Sequence, residues 1–174
     1  TMMAIFTVFN MFRRVADQSK NICDQTVYAV RGVAKIPKVY PILFLDQRGS
    51  GVGQLATAIG RHSFPDAAQF AVATPGGSDP LSPSLGEFLA EAGLPDADLE
   101  TEPLAALEHD FSHFIVLVSV NGNVSDYVKK IPFHTSALNW SIPQDAERAE
   151  QYRLLRREIT DLVTLLAGDS AGRG

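Results

Sequence analysis

The stretch YPILFLDQRGSGVGQLATAIGRH, residues 40–62, decides how the rest of the chain is read. ILFL (42–45) is continuously apolar, as a strand buried on both faces must be. A glycine-rich run, GSGVG (49–53), follows it, and residues 54–62 then have helical composition. Strand, glycine loop and helix in that order place backbone N–H groups at a helix N-terminus, which is the physics of anion binding.

The same alternation continues outward. QFAVAT (69–74) reads as a second strand and PSLGEFLAEAG (83–93) as a helix stopped by Gly93. PLAALEHD (103–110) reads as a helical turn, HFIVLVSV (113–120) as a third strand, and VSDYVKKI (124–131) as a short helix. FHTSALNW (133–140) holds a fourth strand, and a helix over 144–167 carries Tyr152, Leu155, Ile159, Leu162 and Leu166 on one face. Apolar strands alternating with helices predict an α/β doubly wound, four-stranded parallel sheet covered on both sides. This domain is expected to span 42–168, after a linker at 35–41 and before a disordered tail at 169–174.

Upstream, residues 2–32 predict one long α-helix, with Ile5, Val8, Phe9, Phe12, Val15, Ala16, Ile22 and Cys23 at helical spacing. Gly32 is its stop, and 1–34 is set apart as a bundle-forming segment. A helix this apolar needs other helices, so self-association, or completion of a bundle, is expected through it. Cys23 lies on the stripe and reads as a small core residue.

Bulk composition excludes several classes. The 174 residues hold one cysteine, which leaves no disulfide framework and fits a reducing cytoplasm. No run of 18 apolar residues predicts a membrane span. The apolar start precedes the Arg13–Arg14 pair, the reverse of a signal peptide. Residues 1–38 hold six basic and two acidic residues, +4, so the remainder carries −9 to reach the stated −5. With a pI near 5.3, the body lacks the footprint of a nucleic-acid binder. His62, His109, His113 and His134 show no ligand spacing, so neither metal nor cofactor is expected.

Three loop chemistries fail on the residues of 46–53. A Walker loop needs Gly-Lys-Ser/Thr, but Gln54 follows Gly53. A dinucleotide fingerprint from Gly49 and Gly51 needs its last glycine at 54. A nucleophile elbow around Ser50 needs glycines where Arg48 and Val52 stand. Arg48, the loop's one cation, is equally suited to meet an anion or to pair with Asp46, for which hydrogen bonding to the loop is the favoured role.

A fourth comparison covers most of 39–167. The order ILFLDQRGSGVGQLATAIGRHSFPD, FAVATPG, SPSLGEFLAEAG, PLAALEHDFSHFIVLVSV and ALNWSIPQD resembles the low-molecular-weight protein tyrosine phosphatases and the arsenate reductases of the same fold. That resemblance implies a first strand leading into Cys-x5-Arg-Ser/Thr, whose amides and arginine cradle an oxyanion, and a later Asp-Pro general acid. Aligned on ILFL, Asp46 stands at the cysteine, Val52 at the arginine and Gly53 at the hydroxyl. Pro143 or Gln144 holds the acid position, with Asp145 offset. No catalytic residue is therefore expected. Asp46, Gln47, Arg48, Gly49, Ser50, Gly51, Val52 and Gly53 form a degenerate loop able at most to meet an anion, and Pro143, Gln144 and Asp145 form a former acid region.

A second resemblance covers about 25 residues: FRRVADQSKNICDQTVYAVRG is similar to the last helix of the PhoU phosphate-uptake regulators. Asp17, Asn21 and Ile22 match, while Arg13 stands where the first metal-binding acid belongs. Together these resemblances imply an inactive, phosphatase-like regulatory or interaction protein linked to phosphate sensing. The alternatives are an active phosphatase or arsenate reductase with atypical residues, and a nucleotide- or anion-binding module.

Overall fold

The computed structural model describes residues 11–12, 15–16, 18–20, 22–23, 26–27, 29–30, 38–107 and 111–167. The chain divides into two compact units, Thr1–Pro37 and Lys38–Gly174. In the first unit every described residue between 11 and 30 is helical. The rest of the helix expected over 2–32, the tail at 169–174 and the end of the turn expected at 103–110 lie outside the described residues. Met11, Phe12, Val15, Ile22, Val27 and Val30 are exposed. Cys23 is exposed as well, so among the described residues no core surrounds it.

In the second unit, β1 (Tyr40–Leu45) leads to α1 (Val52–Ser63), β2 (Ala68–Thr74) and α2 (Pro83–Glu91). Then come β3 (Glu102–Pro103), α3 (Leu104–Leu107) and a 3-10 turn at Phe111–His113. The chain finishes with β4 (Val116–Ser119), α4 (Val124–Tyr127), β5 (Ser136–Asn139) and α5 (Arg148–Ala167). All pairings are parallel, in the order β3-β2-β1-β4-β5. The sheet therefore has five strands, not four. The added strand is two residues long, opposite Ala73 and Thr74 at the β2 edge, and includes a proline, so no alternating pattern marks it.

β1 is central, and its alternate residues serve two cores. Ile42 and Phe44 face Val52, Leu55 and Ile59 of α1, Leu85 and Leu89 of α2, and Leu155, Ile159 and Val163 of α5. Leu43 and Leu45 face the opposite layer, with Leu104, Phe111, Leu117 and Val124. That two-sided burial is why ILFL has no polar residue. Trp140 closes the first core, its ring 5.7 Å from that of Phe44. The same order leaves the carboxyl ends of β1 and β4 adjacent, with the loop after β1 above them. Such a place is where ligands bind in open α/β sheets.

One glycine sets how closely α1 lies on the sheet. A Cβ on Gly60 would fall 2.7 Å from the Phe70 ring. That ring cannot yield, because it is buried and stacked over Phe44 with centroids 6.0 Å apart. Gly60→Ala is expected to destabilise the domain by about 1–3 kcal/mol, the usual cost of overpacking, despite alanine's better helix propensity. Gly86→Ala, whose Cβ would meet nothing nearer than Leu81 at 3.7 Å, is expected to be neutral or stabilising. Urea denaturation midpoints compare the two.

Candidate functional site

The site is built where β1 runs out. Asp46 follows Leu45 directly and is 1% exposed. Its two carboxylate oxygens take two backbone donors: Oδ1 accepts from the Gln47 N–H at 2.7 Å and Oδ2 from the Gly53 N–H at 2.7 Å. Gly53 lies in the first turn of α1, so the second bond places a carboxylate at the positive end of that helix. A carboxylate at a helix N-terminus is the same chemistry as a bound anion, supplied here from within the chain.

The glycines make that approach possible. A Cβ at position 53 would lie 2.9 Å from the Asp46 Cβ and 2.6 Å from a Val72 methyl. A serine or threonine there would collide with the aspartate, so Asp46 and Gly53 are sterically matched. Gly51, the residue capping α1, has φ +74°, a left-handed conformation that a side chain would strain.

Three further loop amides, those of Gly49, Ser50 and Val52, are engaged as well. Gly49 N–H donates to Asp79 Oδ2 at 2.6 Å, while Arg48 Nε donates to Asp79 Oδ1 at 3.0 Å. Arg48 thus pairs with Asp79, not with Asp46 as one of its two expected roles had it. Ser50 N–H donates to the Gln47 carbonyl, and Val52 N–H to the Ser50 hydroxyl at 3.2 Å. Three amides of the loop, those of Gln47, Gly49 and Gly53, are spent on internal carboxylates.

Two side chains hold the loop from outside. Asp79 is itself fixed by its N–H to the Thr101 hydroxyl at 2.7 Å, and Thr101 meets Thr74 at 3.0 Å. Arg148, the first residue of α5, donates through Nη2 to the Ser50 carbonyl at 3.1 Å and through Nη1 to Gln151 Oε1 at 2.7 Å. Fully buried Gln151 then donates to the Pro143 carbonyl at 2.7 Å and the Gln144 carbonyl at 3.2 Å. The Pro143–Asp145 segment is therefore tied to α5 by its backbone, while the side chains of Gln144 and Asp145 face solvent. Val52 is buried in the first core, so no cation enters the loop from that position.

Burial pushes the Asp46 carboxyl up from its ordinary value. The Gly53 N–H, the Ser50 hydroxyl, the Gln47 N–H and the Arg148 charge pull in the other direction without cancelling it. The Tyr127 phenol is raised too, by burial first and then by the Asp46 charge. A raised folded-state value means the native protein holds this proton more tightly than the unfolded chain does. Asp46 accordingly contributes most to stability at acid pH, and that contribution declines as pH rises through the folded-state value. Desolvation is the cost of keeping a carboxylate, in place of solvent or ligand, on these amides.

Sequence reading located Asp46 and the loop because they are contiguous. It missed Asp79, Arg148 and Gln151, which reach the loop and the 143–145 segment from other elements. The one sequence signal for Asp79 was its place in the turn-forming run GGSDP (76–80) after β2, at the same end of the sheet.

No protein-family profile matches the chain, and no curated protein matches it. Solved structures do share its fold. The thioredoxin-dependent arsenate reductase of Corynebacterium glutamicum aligns with a TM-score of 0.63 at 19% identity, over 86% of this chain and 73% of that one. YfkJ from Bacillus subtilis aligns at 0.64 and 12% identity, over 78% and 99%. A low molecular weight protein tyrosine phosphatase from Streptococcus pyogenes aligns at 0.56 and 13% identity, over 75% and 95%. At these identities the likeness concerns the fold: the α/β unit has the parallel-sheet architecture of the low-molecular-weight phosphatases and arsenate reductases.

Proposed function

We propose that the chain is a catalytically inactive member of this phosphatase-like architecture that acts as a regulatory or interaction module. The observation that carries the reading is the Asp46 carboxylate on the Gln47 and Gly53 amides. An incoming oxyanion has to displace a tethered anion that already holds two charge-assisted hydrogen bonds, each contributing on the order of 1.5–3 kcal/mol. It would then find no guanidinium at position 52 and no thiolate at position 46. A buried carboxylate bonded through both oxygens is also a poor nucleophile. The link to phosphate regulation rests on the PhoU-like run in the first unit, and the interaction role on its apolar side chains.

Catalysis is the direct test. The purified chain is expected to give no turnover of para-nitrophenyl phosphate above background, and Asp46→Cys alone is expected not to restore it. The substitution supplies the thiolate and vacates the amides, yet Val52 still leaves the transferring phosphoryl group unclamped. Robust turnover by the unmodified chain, abolished by Asp46→Ala, would instead establish an active enzyme with atypical residues.

Assembly is the second test. Phe12 is 69% exposed and Val30 78%, on a helix that also leaves Met11, Val15 and Ile22 in water. At about 1.5–3 kcal/mol for each large side chain fully buried, covering that row is strongly favourable. The intact chain is expected to be oligomeric by light scattering, and Phe12→Asp with Ile22→Asp to dissociate it. A strictly monomeric chain at high concentration would remove the basis for the interaction role.

A further inference from the structure

A concave site lies at the other end of the sheet from Asp46. It is a cleft of about 480 Å³ at the amino ends of β1 and β2, bounded across the sheet by the turn before β4. That volume falls in the usual range for small-molecule sites. Pro41, Pro65 and Phe114 give it apolar walls, and Arg61, His113 and Gln69 supply its polar groups. Pro41 in its wall lies five residues before Asp46 along β1, a separation of about 16 Å.

The informative residue is Arg61, near the end of α1. Its guanidinium is half-buried and held rigidly by carbonyls. Nε and Nη2 donate to the Phe70 carbonyl at 3.2 and 3.1 Å, and Nη1 donates to the Asp98 carbonyl at 3.0 Å. Among the described residues no carboxylate pairs with it. Carbonyl dipoles orient this guanidinium without cancelling its charge. Of its five N–H bonds one has no acceptor, and a second makes only the long 3.4 Å contact to the Ala97 carbonyl. One free N–H and one held only by a long contact it can exchange together match the two oxygens of a carboxylate. They are too few for the three oxygens of a phosphate monoester.

We propose that this cleft binds a small organic carboxylate with a flat apolar body, its carboxylate on Arg61 and its body between Phe114 and the proline wall. The site is separate from the Asp46 loop, so its occupancy neither requires nor excludes the reading given above. A chain whose phosphatase-type loop is closed would thereby retain a ligand site on its opposite face.

Benzoate titrated into the full-length, ¹⁵N-labelled chain at constant ionic strength tests this, with benzamide as the neutral isostere. Benzoate is expected to give saturable shifts at Gln69, Phe70, His113, Phe114 and the Arg61 Nε–H, with a dissociation constant of about 1 mM or tighter, as its size allows. Benzamide is expected to give none, and the amides of 47–53 to stay still. Gln69→Glu, at an exposed position of β2, is expected to keep the fold by circular dichroism and to weaken benzoate about tenfold by placing a like charge in the cleft. Equal binding of benzamide, shifts centred on the loop, or benzoate affinity unmoved by Gln69→Glu would each overturn the proposal.

Discussion

The structure turns on one hydrogen-bonded contact, that of the Asp46 carboxylate with the amides of Gln47 and Gly53. It joins the end of the central strand to the first turn of α1, and so fixes the entry of the chain into its longest apolar layer. It is possible only because position 53 has no side chain: a Cβ there would press on both Asp46 and Val72. It also fills the positive end of α1 with a negative group, which satisfies the helix and opposes the entry of another anion. Packing, electrostatics and the proposed loss of catalysis are in this sense one constraint.

Around that contact several of the remaining loop groups are engaged within the chain. Asp79 takes the next amide and the loop's only cation, and Arg148 holds the Ser50 carbonyl from the far side. The charges that a phosphatase-type loop would turn toward substrate are here turned toward one another. Gln151 ties the segment after β5 into the same arrangement through the carbonyls of Pro143 and Gln144.

Much of the fold was legible because its signals are local. ILFL reads as a strand buried on both faces, and its alternate side chains do serve two separate cores. α1 and α5 follow from apolar periodicity, although α5 begins at Arg148 and not at 144. β3 was not legible: two residues, one a proline, carry no period. Cys23 shows a further limit, since a periodic stripe reveals which face is apolar but not what covers it. In the candidate site, Asp46 and Gly53 were found through their neighbours in sequence. Asp79 bonds Gly49 across 30 residues and Arg148 bonds Ser50 across 98, separations set by the topology alone. The carboxylate cleft was illegible for the same reason, since Arg61 and His113 meet its space from different elements.

The central claim, that Asp46 is the anion of its own loop, is tested most directly by following its side-chain carboxyl carbon and the Gln47 and Gly53 amides by NMR as pH is varied, with and without phosphate. The account predicts that the carboxyl titrates above the ordinary aspartate value of about 3.9. Both amides should shift with it, and phosphate at neutral pH should move none of the three signals. An ordinary titration to which the two amides are indifferent, or amides that respond to phosphate while the Asp46 carbon does not, would contradict it.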